Sequence, residues 1–303
     1  MVDITHKSTT HREAIALAEV NVSKQSTIDA VQSKSVPKGD VFEFSRAAGL
    51  LACKKTYEVI PDCHPLPIEF ASITYEIKDL TILIKVEVHT IYKTGVEVEA
   101  MHAASITALT IYDMLKPIDD RVAIGSIKLI EKKGGKGDIK YAYPETLKVA
   151  VLTISDSVSQ SLQQDISGDL VQQKLSQYNL LNIHREYVED DLLSIQNLTR
   201  KLIQDDYELI VCTGGTGLSG RDVTPDAILP LIDREIPGVM EAARGYGQQR
   251  TPYAMLSRGI AGFSGNCLIL TLPGSPRGVE ESMDAIFPYI LHVFRVKDGA
   301  RHT

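Results

Sequence analysis

The stretch Thr213-Gly214-Gly215-Thr216-Gly217-Leu218-Ser219-Gly220-Arg221-Asp222-Val223-Thr224-Pro225-Asp226 constrains this chain more than any other. Four of its glycines fall within seven residues, so little side chain stands between the backbone and whatever it faces. The apolar run Leu209-Ile210-Val211-Cys212 before it reads as a buried parallel strand. Asp226-Ala227-Ile228-Leu229-Pro230-Leu231-Ile232 after it reads as the opening of a helix. A plain turn needs only one or two glycines. Backbone N–H groups bared at such a turn, beside a helix N-terminus, form an anion site. Arg221 adds a cation, and Asp222 adds a carboxylate of the kind that holds Mg²⁺. The loop is not a Walker loop. Gly215 and Gly220 have that spacing, but Arg221 replaces the lysine and Asp222 replaces the hydroxyl residue.

The rest of the chain has two rhythms. In the first part, strands come in runs beside long helices. Ala14–Val20 is weakly apolar and fits helix or strand. Val41–Lys55 has a helical pattern, and Ile60-Pro61-Asp62-Cys63-His64-Pro65-Leu66-Pro67 is a proline-punctuated loop. Ile68–Ile77 and Thr81–Tyr92 alternate as an antiparallel hairpin. A long helix follows, Glu97–Lys116, rich in alanine and ended by Pro117. Val122–Glu131 is a strand, and Tyr141–Leu147 reads as a linker. This order predicts an α+β first domain over residues 1–140. From residue 148 to 303, strands and helices alternate: Val149–Ser155, Gly168–Tyr178, Asn182–Val188, Leu193–Gln204, Leu209–Cys212, Leu268–Leu272 and a closing helix Val279–Val293. That predicts an α/β domain, a parallel sheet with helices on both faces.

With 303 residues there is room for two cores. The net charge of −7 gives no reason to expect a nucleic-acid partner. No apolar run reaches the roughly 20 residues of a membrane span. The N-terminus lacks an apolar signal core, and the four cysteines lack metal-like spacing. Together these point to the cytoplasm.

Chemistry-bearing residues appear in both parts. His102, Ile106, Leu109, Asp113 and Lys116 share one helical stripe. Asp113 and Lys116, three apart, pair either as a plain solvated salt bridge or beside an apolar floor. In the second case the lysine has a lowered pKa and serves as acid or base. His64 follows Cys63, but neighbours in extended chain point apart, so a Cys–His nucleophile pair is disfavoured. Glu97 and Glu99 open the long helix, and Lys132, Lys133 and Lys136 lie among glycines like a polyphosphate clamp.

Five segments in order resemble cyclic pyranopterin monophosphate synthase: Lys38-Gly39-Asp40, Ile60–Leu66, Thr94–Ala100, Leu109–Met114 and Lys132–Asp138. The resemblance spans residues 1–140. It implies a ferredoxin-like α+β fold and a substrate, 3′,8-cyclo-7,8-dihydroguanosine triphosphate, rearranged with loss of pyrophosphate and no cofactor. It also implies Asp113, Lys116 and Lys38 as catalytic residues, and His64, Glu97, Glu99, Lys132 and Lys136 as substrate contacts. Sites between subunits of a hexamer are implied too.

Thr153–Asp156, Asp165–Gly168, Glu189–Asp191, Gly214–Asp226 and Leu272–Pro276 resemble the molybdopterin-binding family, which includes molybdopterin adenylyltransferase. This implies a three-layer α/β domain and transfer of AMP from ATP to the pterin phosphate. Asp222 and Asp190 are the implied catalytic carboxylates and Mg²⁺ ligands, with Gly214, Gly215, Thr216, Gly217, Ser275 and Arg277 as substrate contacts. Trimers are common in that family, and a hexamer accommodates both symmetries.

Overall fold

Alternation settles the segment that periodicity left open. Ala14, Ala16, Ala18 and Val20 are fully buried between more exposed neighbours, and Thr10–Asn21 is a strand, β1. The computed structural model describes residues 1–135, 146–160, 163–297 and 299. It divides into two units, Met1–Lys140 and Tyr141–Thr303. Lys136 and most of the expected linker lie outside the described residues.

In the first unit β1 is followed by α1 (Gln25–Gln32), α2 (Val41–Lys54) and α3 (Thr56–Val59). Then come β2 (Phe70–Lys78), β3 (Thr81–Tyr92), α4 (Glu97–Leu115) and β4 (Ala123–Lys133). The sheet order is β2-β3-β1-β4, with every neighbouring pair antiparallel. Asp40 starts α2 by accepting from the N–H groups of Phe42 and Glu43. α2 lies so close to α4 that a Cβ on Gly49 would strike the Thr107 hydroxyl. The alanines of α4 (Ala100, Ala103, Ala104, Ala108) are all buried, which is what permits that approach.

The second unit contains β5 (Val149–Ile154), α5 (Asp156–Ser159), α6 (Ile166–Ser176), β6 (Ile183–Val188), α7 (Leu192–Gln204) and β7 (Leu209–Thr213). It continues with α8 (Thr224–Ile228), β8 (Arg234–Glu235), α9 (Pro237–Gln248), β9 (Ala261–Ser264), β10 (Cys267–Leu272), α10 (Pro276–Ile286) and α11 (Val293–Val296). Sheet order is β6-β5-β7-β10-β9-β8. The first four strands run parallel, and β5, β7 and β10 are buried along their whole length, hence their continuous apolar sequences. Val149, Val151, Leu268 and Leu270 face one apolar cluster; Ala150, Leu152, Ile154, Ile210 and Cys212 face another. Helices therefore cover both faces.

Three expectations need correcting. The sheet is not wholly parallel: β9 runs antiparallel to β10, and β8 to β9. The closing helix stops at Ile286, because Pro288 lacks the N–H a helix needs; a 3₁₀ turn, Tyr289–His292, precedes α11. The helix after the glycine loop is only five residues long and passes into a 3₁₀ turn at Leu229–Leu231.

Candidate active sites

In the first unit, the turn before α2 brings Lys38 to the C-terminal end of α4. Lys38 Nζ donates to Asp113 Oδ2 at 2.6 Å and to the Asp113 carbonyl at 2.9 Å. Lys116 Nζ lies 2.8 Å from Asp113 Oδ1. Hydrogen bonds from Lys116 and then Lys38 hold the Asp113 carboxyl down to about 2. The same pairing pushes the Lys116 ammonium up, not down as an apolar floor would require. Of the two alternatives, the solvated salt bridge is the one formed: the stripe faces outward, Leu109 is 51% exposed, and α4 buries its alanine face instead. The cluster is thus an open lysine–carboxylate–lysine chain.

Among the other predicted residues, Glu97 and Glu99 lie at the opposite end of α4. Glu99 is 3% exposed, and its carboxylate accepts from the Cys63 thiol at 3.1 Å. Burial pushes the Glu99 carboxyl up and the Cys63 thiol up to about 12. The thiol does not engage the His64 ring, whose Nε2 donates to the Val2 carbonyl at 2.8 Å. Glu97 points elsewhere and meets Lys132 at 3.4 Å. Two positions along a helix differ by some 200°, so Glu97 and Glu99 do not share a pocket. Glu97 and Asp113 are sixteen positions apart on α4, about 24 Å at 1.5 Å per residue.

The second unit builds its site around the glycine loop. Gly214 (φ +108°) and Gly215 (φ +62°) take left-handed backbone. A Cβ on Gly214 would strike the Ile154 carbonyl of β5. Gly215, Gly217 and Gly220 also have the G-x-G-x-x-G spacing, but no long helix follows to receive a dinucleotide. Much of the expected anion site is spent within the protein. Gly214 N–H donates to Leu272, Thr224 N–H to Gly215 and Asp222 N–H to Ser219. Ser219 N–H donates to Asp222 Oδ2 at 2.8 Å.

The loop is a wall between two cavities. One, of about 350 Å³, is lined by Asp165, Ser167, Asp190, Arg221 and Asp222. The other, of about 630 Å³, is lined by Thr216, Gly217, Arg244, Ser275 and Arg277. Gly215, Asp222 and Gly274 line both. Asp190 and Asp156 exchange backbone-to-carboxylate hydrogen bonds at 3.0 and 3.2 Å, which joins the ends of β5 and β6. Burial first, then the nearby Asp156 and Asp222 charges, push the Asp190 carboxyl up. Asp190 and Asp222 are the carboxylates there that would hold a divalent cation, which would relieve both effects. A tighter group, Glu13, Glu87 and His89, lies in the first unit with donor atoms within 4.8 Å. Lys133 and Lys85 already pair with its carboxylates. Ser275 caps α10 through Gly278 N–H, and Arg277 pairs with Glu281 at 2.8 Å.

One residue went unnoticed in the sequence. Arg258 donates from Nε to the Gly217 carbonyl at 2.9 Å and from Nη2 to the Asp222 carbonyl. Its Nη1 lies 3.0 Å from Asp226 Oδ2. No local pattern marks an arginine that acts across 32 to 41 residues of sequence.

A family model described as the MoaC family matches residues 1–135, and one described as "Probable molybdopterin binding domain" matches residues 150–292. The molybdenum cofactor biosynthesis bifunctional protein of Chlorobaculum tepidum is 36% identical over 303 residues, 100% of this chain and 96% of that one. The chain belongs to this bifunctional molybdenum cofactor biosynthesis family. The protein of the same description from Synechococcus elongatus is 34% identical over 315 aligned positions, covering 100% and 98%. A cyclic pyranopterin monophosphate synthase from Nitratidesulfovibrio vulgaris is 44% identical over 138 residues, 45% of this chain and 85% of that one. Within the bifunctional family's two-part layout, the Lys38–Asp113–Lys116 cluster lies in the first matched region and the glycine loop in the second.

Proposed function

We propose that the first domain converts 3′,8-cyclo-7,8-dihydroguanosine triphosphate to cyclic pyranopterin monophosphate with release of pyrophosphate, and that the second adenylylates molybdopterin with Mg-ATP. The observation that carries the first reading is Asp113 held between two lysines. At neutral pH the carboxylate is ionised and Lys116 protonated. The lysines supply protons and positive charge where pyrophosphate leaves, and Asp113 orients them. The rearrangement then calls for no cofactor. His64, Glu97, Glu99, Lys132 and Lys136 are the proposed substrate contacts. A span of about 24 Å between the two ends of α4 is too long for one small pterin, so neighbouring subunits complete each site. Exposed Phe44, Leu51, Met101 and Leu109 favour that self-association, as a hexamer with trimeric symmetry inside it. The antiparallel order β2-β3-β1-β4 under helices supports a ferredoxin-like description of this domain.

In the second domain, the two cavities that share Asp222 carry the reading, one for each substrate. Mg²⁺, when bound by Asp190 and Asp222, neutralises charge on the transferring phosphate. Gly214–Gly217, Ser275 and Arg277 position the two substrates, and the loop keeps them on opposite sides of one carboxylate. No helix among the described residues is long and apolar enough to cross a membrane, and the four cysteines are unpaired. With the net charge of −7, these favour a cytoplasmic protein that acts on small pterins, not nucleic acid.

The test is to assay the purified chain for both reactions. Pyrophosphate release with a cyclic pterin product supports the first. AMP transfer to molybdopterin in Mg-ATP, lost in Asp222→Ala, supports the second. Pterin binding without AMP transfer by wild type would leave the second domain a binding module.

A further inference from the structure

We infer that Arg258 is the positioning residue of the glycine loop, pinning its two arms together and setting where the Asp222 carboxylate stands. The consequence for catalysis rests on the reading of Asp222 as a metal and phosphate site; the geometry does not.

A loop with four glycines has little side-chain packing to hold it, and its backbone freedom is large. Beyond the bonds the loop makes within itself and to Leu272, an outside tie restricts that freedom further. Arg258 provides it from a firm base. Ile260 N–H donates to Thr271 Oγ1 at 2.7 Å, and Thr271 N–H returns to the Ile260 carbonyl at 3.0 Å, so the segment is fastened to β10. From there the Arg258 N–H donates to the Thr216 carbonyl at 2.9 Å, and Nε donates to the Gly217 carbonyl at 2.9 Å. These two bonds hold the first arm. Nη2 donates to the Asp222 carbonyl, and Nη1 reaches Asp226 at 3.0 and 3.3 Å. Those hold the second arm.

The Asp222 side chain is gripped as well. A Cβ on Gly217 would lie 2.8 Å from Asp222 Oδ2, so the carboxylate rests against the glycine that Arg258 holds. One planar fork thus fixes the main chain of Asp222 directly and the seat of its carboxylate through Gly217. A lysine has the charge but not the fork, and cannot make these bonds together.

The experiment compares Arg258→Lys and Arg258→Ala with wild type in the full chain. Three quantities are read: deuterium uptake over residues 216–226, the Mg²⁺ concentration giving half-maximal AMP transfer, and recovery of Arg258→Ala with millimolar methylguanidinium. We expect faster exchange across the loop in both variants. Half-saturating Mg²⁺ should rise about tenfold in Arg258→Lys, since misplacing a reacting group by about 1 Å costs up to 100-fold. Methylguanidinium should restore part of the Arg258→Ala loss. Pyrophosphate release by the first domain serves as the control and should not change. Wild-type exchange and wild-type Mg²⁺ dependence in Arg258→Lys would overturn the inference. If wild type transfers no AMP, the functional reading of Asp222 fails, and loop exchange alone decides whether Arg258 positions it. If Arg258→Ala does not fold, Arg258→Lys carries the same test.

Discussion

The two sites place carboxylates under opposite electrostatic conditions. Asp113 stands in the open between Lys38 and Lys116, and they hold its carboxyl at about 2. Asp190 is partly buried, faces Asp156 and Asp222, and is pushed up. The first site has its carboxylate paired within the chain but its parts spread along a helix. The second has its parts gathered round one loop but its charge unbalanced. What each lacks differs accordingly. Under the proposed reading, the first would be completed by another subunit and the second by a cation.

Activity assays break this comparison most sharply. Asp113→Asn should lower pyrophosphate release by about 100- to 10,000-fold and leave AMP transfer unchanged. Asp222→Ala should do the reverse, lowering AMP transfer by about 100- to 1,000-fold. A variant that damages both reactions alike would mean the sites are not independent.

Subunit mixing sharpens it next. Glu97→Gln and Asp113→Asn, each inactive alone, should regain about a quarter of wild-type pterin formation when refolded together, because some shared sites then combine two intact halves. Asp190→Asn mixed with Asp222→Ala should regain no AMP transfer. Recovery in the second pair, or none in the first, would reverse the assignment of which site is shared.

Stability gives smaller effects. Gly214→Ala must adopt φ +108° and meet the Ile154 carbonyl, so it should destabilise the second unit by about 1–3 kcal/mol in denaturant melts. Asp190 gives a sign that can be checked. Its folded pKa is raised above the ordinary 3.8, so the folded state holds its proton longer than the unfolded state does. Stability from this group therefore falls as pH rises from 3.8 through the folded pKa. Asp190→Asn should flatten that fall and raise the second unit's melting temperature slightly at pH 7, while abolishing transfer. Millimolar Mg²⁺ should raise the wild-type melting temperature in the same direction. For Asp113 the sign is opposite: its folded pKa is lowered, and its contribution is lost only as pH falls through about 2. In Lys116→Ala, the carboxylate titration seen by NMR should move up towards 3.8.

Much of the fold was legible because burial leaves a period in the sequence. The hairpin β2–β3 and the helix α4 were legible from alternation and helical spacing. The runs at β5, β7 and β10 announced strands buried on both faces. The edge strand β8 and its neighbour β9 were missed because two and four residues are too short to show a period. α9 was missed too, with three glycines and Pro237 diluting its pattern.

The sequence by itself determined the two-part layout, the glycines that permit left-handed backbone at Gly214 and Gly215, and the residue types gathered in each motif. These are local properties, carried by side-chain size and by the conformations a residue permits. Tertiary structure decided everything that depends on distant residues meeting. It placed Lys38 on Asp113 across 75 residues, and between the two alternatives left open for Lys116 it chose the salt bridge with Asp113, which raises that lysine's pKa. It buried Glu99 on Cys63 while leaving Glu97 on Lys132. It also put Arg258 against both arms of the glycine-rich loop. Period and propensity fix which face of an element is buried, but not which distant group will stand opposite it.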